Sequence, residues 1–331
     1  FNKLLLLIII ILVSIFSYYF VERPCRNKQI HFKKIFRFIL IVISSLIIIN
    51  SYVVFKNGKI SYVYKKIENI YLNNDILNEN LRVKSWKYAN NYPQKFQSIE
   101  KKKILIVGDS HSKDLFNVFI QNRSLFKKYE FLKYGNHWNK DSLSFDEEDE
   151  VDFKNFNQSK IFNNADIIII SYYFDTKKSF DQLNIFLEKF NNKKKIILTS
   201  NSNIYLSPKF SIFSQLKLTL FDYFLLNNKK EKKFIDRKLS KEDKHEINIF
   251  YHEHLDLDKI DNINSNLKKL AQKHNVQILN KQDFQCKLNE KICFGVTDEG
   301  KKIHYDNYHY TLEGAKFFGK RIFDINWLKI N

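Results

Sequence analysis

Gly108-Asp109-Ser110-His111 directly follows the apolar run Ile104-Leu105-Ile106-Val107, and Asp306-Asn307-Tyr308-His309 lies near the other end of the chain. A serine hydroxyl attacks a carbonyl only when a base takes its proton, and a histidine oriented by a carboxylate is such a base. Ser110, His309 and Asp306 are therefore the candidates for acyl transfer or ester hydrolysis. Ser110 follows a strand and precedes a helix, so its N–H lies near a helix N-terminus, where negative charge is favoured, and can donate to a carbonyl oxyanion. Gly108 permits the tight turn, and Asp109 is expected to fix it by accepting backbone hydrogen bonds. The plainer alternatives are an ordinary Asp-Ser helix cap and, around His304 and His309, a solvated His-rich loop. A second oxyanion donor is sought in Gly135 or Asn136, and Ser171 is expected to face the site. Tyr172 and Tyr173 are candidates to line an acyl or sugar pocket. His245, His252 and His254 match no strong zinc spacing, so no metal is expected. There is no Walker loop and no GxGxxG.

These residues need a scaffold, and from Lys103 the pattern is α/β. Ile104 to Val107, Ala165 to Ile170 and Lys195 to Thr199 read as buried strands, with Tyr129 to Tyr134 and Val276 to Leu279 as further strands. Ser112 to Gln121, Phe180 to Phe190, Ile260 to Lys273 and Leu312 to Phe323 read as helices. Thr311 is placed to cap the last one, and Gly314 to allow close packing. Alternation of this kind predicts a mostly parallel sheet covered on both faces, with the site beyond the carboxyl ends of its strands. Asp146 to Asp152 reads as an acidic surface loop. Ile204 to Lys241 breaks the rhythm, with an apolar part, Phe210 to Leu226, that covers the site or touches a membrane. Lys217 and Asp222 argue against a third spanning helix there.

Leu4 to Val21 and Ile35 to Phe55 are close to the ~17–25 apolar residues that cross a bilayer. A cleaved signal peptide is the alternative for the first, but Val21-Glu22-Arg23-Pro24 is a poor cleavage site. Arg23, Arg26, Lys28, Lys33 and Lys34 lie between the runs and place that loop in the cytoplasm. The expected organisation is a last membrane-domain helix at 1–22, a cytoplasmic loop at 23–34, a spanning helix at 35–55, a connector at 56–100 and a catalytic domain at 101–331. Within the connector, Ile60 to Leu72 is a candidate helix. The rest of the chain then lies outside the inner membrane, in the periplasm or beyond.

The formal net charge of +19 raises nucleic acid as a partner. The lysines are scattered among asparagines with no Arg-rich recognition helix or zinc-finger spacing, so that class is set aside, while anionic lipid or polysaccharide stays open. Cys286 and Cys293 are expected to close a small disulfide loop in an oxidising compartment, with Cys25 on the wrong side to join them. The chain starts with Phe and contains no Met, which points to the C-terminal piece of a longer protein.

The two catalytic blocks and the membrane end resemble the SGNH hydrolase superfamily. More specifically, they resemble the C-terminal part of bacterial acyltransferase-3 membrane proteins with a fused SGNH domain, the OafA/YrhL-like type. Tyr19-Phe20-Val21-Glu22-Arg23-Pro24 is similar to the close of that membrane domain. Gly108-Asp109-Ser110-His111 is similar to the nucleophile block. Asp306, His309, Thr311, Gly314 and Ala315 are similar to the terminal block, with Tyr310 and Thr311 standing where Leu and Ser are usual, and the preceding Cys286–Cys293 pair is also typical. The resemblance implies a three-layer, flavodoxin-like α/β fold and O-acylation, commonly O-acetylation, of a cell-surface polysaccharide or lipopolysaccharide. It implies acyl-CoA as the ultimate donor through the acyltransferase membrane domain, and no cofactor bound by this domain. The Gly-x-Asn-Asp block of simple SGNH hydrolases is not evident, and Ser171-Tyr172-Tyr173 occupies the corresponding strand end. A membrane-tethered esterase and a glycan-binding domain with a dead site are the competing expectations.

Overall fold

The computed structural model describes residues 77–134, 145, 150–206, 219–236 and 238–330, with scattered positions between 11 and 52. The chain divides into two compact units, Phe1–Ile70 and Tyr71–Asn331. In the first, the described positions include a π-helical turn at Tyr18–Glu22. Most of the first expected spanning run, about half of the second and all of Ile60 to Leu72 lie outside the described residues. Among the described residues no helix is long and apolar enough to cross a membrane.

The second unit is built on strands whose sequences carry no polar alternation. Strand β1 (Lys102–Val107) ends in four consecutive buried residues, and β3 (Ile167–Ile170) is buried throughout. With β2 (Tyr129–Lys133), β4 (Lys195–Thr199) and β5 (Gln277–Leu279) they form one sheet in the order β2-β1-β3-β4-β5. Every pairing in it is parallel. Runs of this kind are apolar because both faces are covered. Leu105, Val107, Ile168, Ile170 and Leu198 enter one core with Phe186 and Phe190. Ile104, Ile106, Ile167, Ile169 and Ile197 enter the other with Phe119 and Phe318. Successive residues of a strand point to opposite faces, so one sheet seeds two cores and the unit has three layers. The order reverses at β1, whose neighbours β2 and β3 follow it on opposite sides. The crevice beyond its carboxyl end is where such sheets place their sites.

Eight helices carry the argument below. They are α1 (residues 77–90), α2 (Ser110–Gln121), α3 (Glu150–Gln158), α4 (Lys177–Phe190), α5 (Leu220–Asn227), α6 (Lys241–Glu253), α7 (Leu257–Lys273) and α8 (Leu312–Asp324). The expected helices appear with ends moved by a few residues. Helix α1, assigned no structure from sequence, packs its Ala89 into the same core as α2 and α8. Of the acidic stretch expected as a loop, residues 146–149 lie outside the described residues and residues 150–152 open α3 instead, with Phe153 and Phe156 buried. Those two aromatics, three apart on one helix face, outweigh the acidic run before them. Helix α6 also went unread, although Ser240 caps it reciprocally with Asp243. That Ser-x-x-Asp spacing is a legible start signal. Cys286 and Cys293 are joined by a disulfide and pair across the two-stranded ladder Cys286–Lys287 and Ile292–Cys293. Cys25 lies outside the described residues.

Candidate active site

The Gly108–His111 turn is set by three backbone-scale constraints. Gly108 has φ of +141°, and a Cβ there would collide with the Ser171 carbonyl oxygen. Asp109 caps α2 by accepting from the N–H of His111 at 2.9 Å, and its other oxygen accepts from the Tyr173 N–H at 3.2 Å. Burial pushes the Asp109 carboxyl up, against these two hydrogen bonds. Ser110 is thereby left at the first position of α2, partly exposed, beyond the carboxyl end of β1.

The second block arrives on a tight hairpin. The N–H of Tyr305 donates to the His309 carbonyl at 3.1 Å, and His304 and Tyr310 form a bridge beside it. Asp306 accepts from the N–H groups of Tyr308 at 2.8 Å and His309 at 2.7 Å. An Asp side chain bonded to its own following backbone is a stable turn former. Thr311 caps α8 through the Gly314 N–H, and a Cβ on Gly314 would collide with the Ile303 carbonyl.

The two blocks, 199 residues apart in sequence, meet at side-chain level. His309 Nε2 lies 2.7 Å from Ser110 Oγ, and its Nδ1 lies 2.7 Å from Asp306 Oδ2. Burial opposes ionisation of Asp306, but the His309 hydrogen bond and charge and the two N–H bonds outweigh it and lower its pKa. Burial likewise opposes the His309 imidazolium, while the Asp306 hydrogen bond and the charges of Asp114 and Asp306 outweigh it and raise its pKa. Nδ1 is thus held as the donor, Nε2 faces the hydroxyl as acceptor, and the imidazolium formed on proton transfer is stabilised. An arrangement of this kind can form and resolve an acyl-serine.

The remaining candidates are divided. Ser171 is fully buried, and its hydroxyl donates to the His111 carbonyl at 3.1 Å. It supports the nucleophile turn and has no hydroxyl hydrogen to offer an oxyanion. Gly135 and Asn136 lie outside the described residues. Tyr172 turns into the core beside Phe145 and Phe174, whereas Tyr173 stacks on His111 at 5.5 Å between centroids. His304 is buried among Tyr205, Tyr251 and Tyr310, not solvated, and burial pushes its pKa down to about 3. His245, His252 and His254 lie on α6 and its carboxyl end. Among the described residues no three His, Cys, Asp or Glu side chains group closely enough to hold a metal.

Sequence reasoning missed the groups beneath the site. His111 is stacked 5.1 Å from His309, and burial followed by the His309 charge depresses its pKa, so it is neutral. Tyr305 lies parallel to the His309 ring at 5.6 Å, 9° between planes. The buried Lys113 donates to the Tyr305 hydroxyl at 2.9 Å, and the buried Asp114 accepts from the Tyr310 N–H at 3.3 Å. Helix α2 therefore holds both flanks of His309 as well as the serine. The available signal was a Lys-Asp pair leading directly into the apolar stretch Leu115-Phe116 and Val118-Phe119-Ile120 of one helix. Lys281, also buried, has its pKa lowered by burial against the pull of Asp109 and Asp114.

A family model described as "SGNH domain (fused to AT3 domains)" matches residues 82–324. A comparison with curated proteins returned no match. Among solved structures, the chain is similar to the periplasmic domain of the lipopolysaccharide acetyltransferase of Salmonella ser. Paratyphi A. Identity there is 15%, covering 82% of this chain and 99% of that one, with a TM-score of 0.49. It is also similar to a candidate lipolytic protein of the G-D-S-L family from Desulfitobacterium hafniense DCB-2, at 12% identity, 68% and 99% coverage and a TM-score of 0.35. A candidate platelet activating factor from Streptococcus pneumonia matches at 12% identity, 80% and 97% coverage and a TM-score of 0.37.

Proposed function

Because the chain belongs to the family of SGNH domains fused to AT3 domains, we propose that it is an O-acyltransferase, by preference an O-acetyltransferase, working through a serine acyl-enzyme on hydroxyls of a surface polysaccharide or lipopolysaccharide. The observation that carries the reading is the continuous contact Asp306–His309–Ser110. Ser110 Oγ attacks the acyl carbonyl carbon as His309 Nε2 takes its proton. The tetrahedral oxyanion faces the amino end of α2, where the Ser110 N–H is free of an intrahelical partner. The donor's leaving group departs with the proton from His309, leaving the acyl group on Ser110. A sugar hydroxyl then gives its proton to His309 and attacks the acyl carbon, and the proton returns to Ser110 as the ester leaves. Water in place of the sugar makes the same site an esterase, the second reading that this geometry supports.

In this proposal an AT3 membrane domain delivers acyl groups originating from cytoplasmic acyl-CoA. Residues 1–22 close that domain, 35–55 cross the bacterial inner membrane, and the catalytic unit lies on its periplasmic or outer side. The test uses the full chain in detergent with an activated acetyl ester and oligosaccharide acceptors, following acetate and acetylated sugar together by mass spectrometry. Acetylated sugar that disappears in Ser110→Ala is expected. Acetate alone, with every acceptor offered, would make the protein an esterase. A wild-type protein that neither turns over nor reacts with a covalent serine probe would sink both readings.

A further inference from the structure

The rim of the site carries aromatic and cationic groups that the acyl chemistry does not use. Tyr173 is tied to the nucleophile turn through Asp109 and stacks on His111. Its ring lies 6.2 Å from that of Tyr308, which is 36% exposed and sits edge-on to His309 at 6.4 Å. The Lys259 ammonium, at the amino end of α7, lies 5.9 Å from the Tyr173 centroid and is exposed. Among the described residues no carboxylate forms an ion pair with it. Tyr173, Asp175 and Tyr308 are the groups that face it, and its pKa is raised first by the Tyr173 hydroxyl. Two phenol rings and a lysine cation thus lie beside the nucleophile turn and His309.

We propose that Tyr173, Tyr308 and Lys259 form an acceptor subsite beside Ser110 for a sugar bearing a carboxylate or phosphate. This deepens the glycan reading above and rests on it. The rings supply flat apolar faces with hydroxyls at their edges, which suits a sugar that presents C–H on one face and OH groups at its rim. Lys259 supplies a mobile point charge with three donors, suited to an anion of either geometry. A neutral sugar would offer that cation no opposite charge. The formal net charge of +19 acts in the same direction by drawing polyanionic chains to the surface.

The experiment measures calorimetric binding to the full chain in detergent, carrying Ser110→Ala so that no turnover intervenes. Trigalacturonate, a phosphorylated maltotriose and neutral galactotriose are compared at low salt. At least one anionic ligand is expected to bind about fivefold tighter than the neutral one, the most an exposed charge pair usually gives. The two anionic arms decide between carboxylate and phosphate. Lys259→Gln should erase that preference, and Tyr308→Ala should weaken all three ligands by about tenfold, the scale of a lost aromatic contact. Both side chains are at the surface, and circular dichroism verifies the fold. Equal affinity for charged and neutral sugars, or a preference that survives Lys259→Gln, overturns the subsite. If the preference is present but no sugar is ever acetylated, the transferase reading fails while the subsite stands.

Discussion

Two buried lysine–aspartate pairs lie in the Tyr71–Asn331 unit, and they are satisfied to different degrees. Lys302 reaches both oxygens of Asp222, at 2.9 and 2.7 Å. The same carboxylate also accepts from Asn78 at 3.0 Å and from the Thr219 hydroxyl and N–H at 2.7 and 3.1 Å. Burial works against both charges, and it wins at Lys302, whose pKa is lowered. At Asp222 the lysine and the other donors win, and the pKa falls. The better-served carboxylate keeps its charge and holds the Lys302 ammonium through both oxygens. It ties α1, α5 and the segment before the terminal block, where Lys302 bridges Val296, together. Beneath His309 the pattern is sparser. Asp114 Oδ1 is 2.7 Å from Lys113 without an aligned hydrogen bond, and Oδ2 has a single backbone donor at 3.3 Å. Its pKa rises through burial despite Lys113. A fully answered buried pair fixes structure, whereas a half-answered one keeps field to act on its neighbours.

The largest effects test whether these two regions are separable. Asp306→Asn should lower kcat about 10³–10⁴-fold, because the imidazole loses its tautomer and the charge that stabilises its protonated form. The melting temperature should fall by less than in Lys302→Met, since the Asp306 side chain is partly exposed and an asparagine oxygen still accepts from the two backbone N–H groups. Lys302→Met should do the reverse. It strands a buried carboxylate and should cost about 3–5 kcal/mol of stability, read from thermal unfolding, while the folded fraction keeps its pH profile. A large loss of kcat in folded Lys302→Met would show that the second pair also serves the site. Gly108→Ala falls between the regions. The φ of +141° and the collision with Ser171 should cost roughly 2 kcal/mol or more, and serine-probe labelling should fall with it as the turn opens.

What the sequence showed follows the same division. The strands were legible because burial on both faces leaves four-residue apolar runs such as Ile167–Ile170. Ser110, His309 and Asp306 were legible because each block holds its chemistry within four residues. Lys113, Asp114, Tyr305 and Lys281 were not, because a charged residue in a helix or loop reads as solvated until the opposing element is known. Tyr172 and Tyr173 show the limit most directly. They are adjacent and of one type, and only the strand's exit angle sends the first into the core and the second to the site. Helix α3 was hidden for the opposite reason, since its acidic lead-in masked Phe153 and Phe156.

The smallest effect is the sharpest test of the comparison. Asp114 is among the charges that raise the His309 pKa, and Lys113 opposes it. In the wild type the acid limb of kcat/KM should therefore lie above the ordinary imidazole value of about 6.5. Asp114→Asn removes the raising charge and leaves Lys113 unscreened, so both changes move the limb to lower pH. On the plateau a weaker base should lower kcat/KM by roughly three- to tenfold. That deficit should shrink on acidification, because more of the variant's imidazole stays neutral. Stability has the matching sign. A histidine with a raised folded pKa contributes stability that is complete below the unfolded pKa and is lost as pH rises through the folded value. The wild-type melting temperature should decline across that window, and the decline should be smaller in Asp114→Asn. A limb that does not move would make Asp114 a second structural staple and remove the distinction between the two pairs.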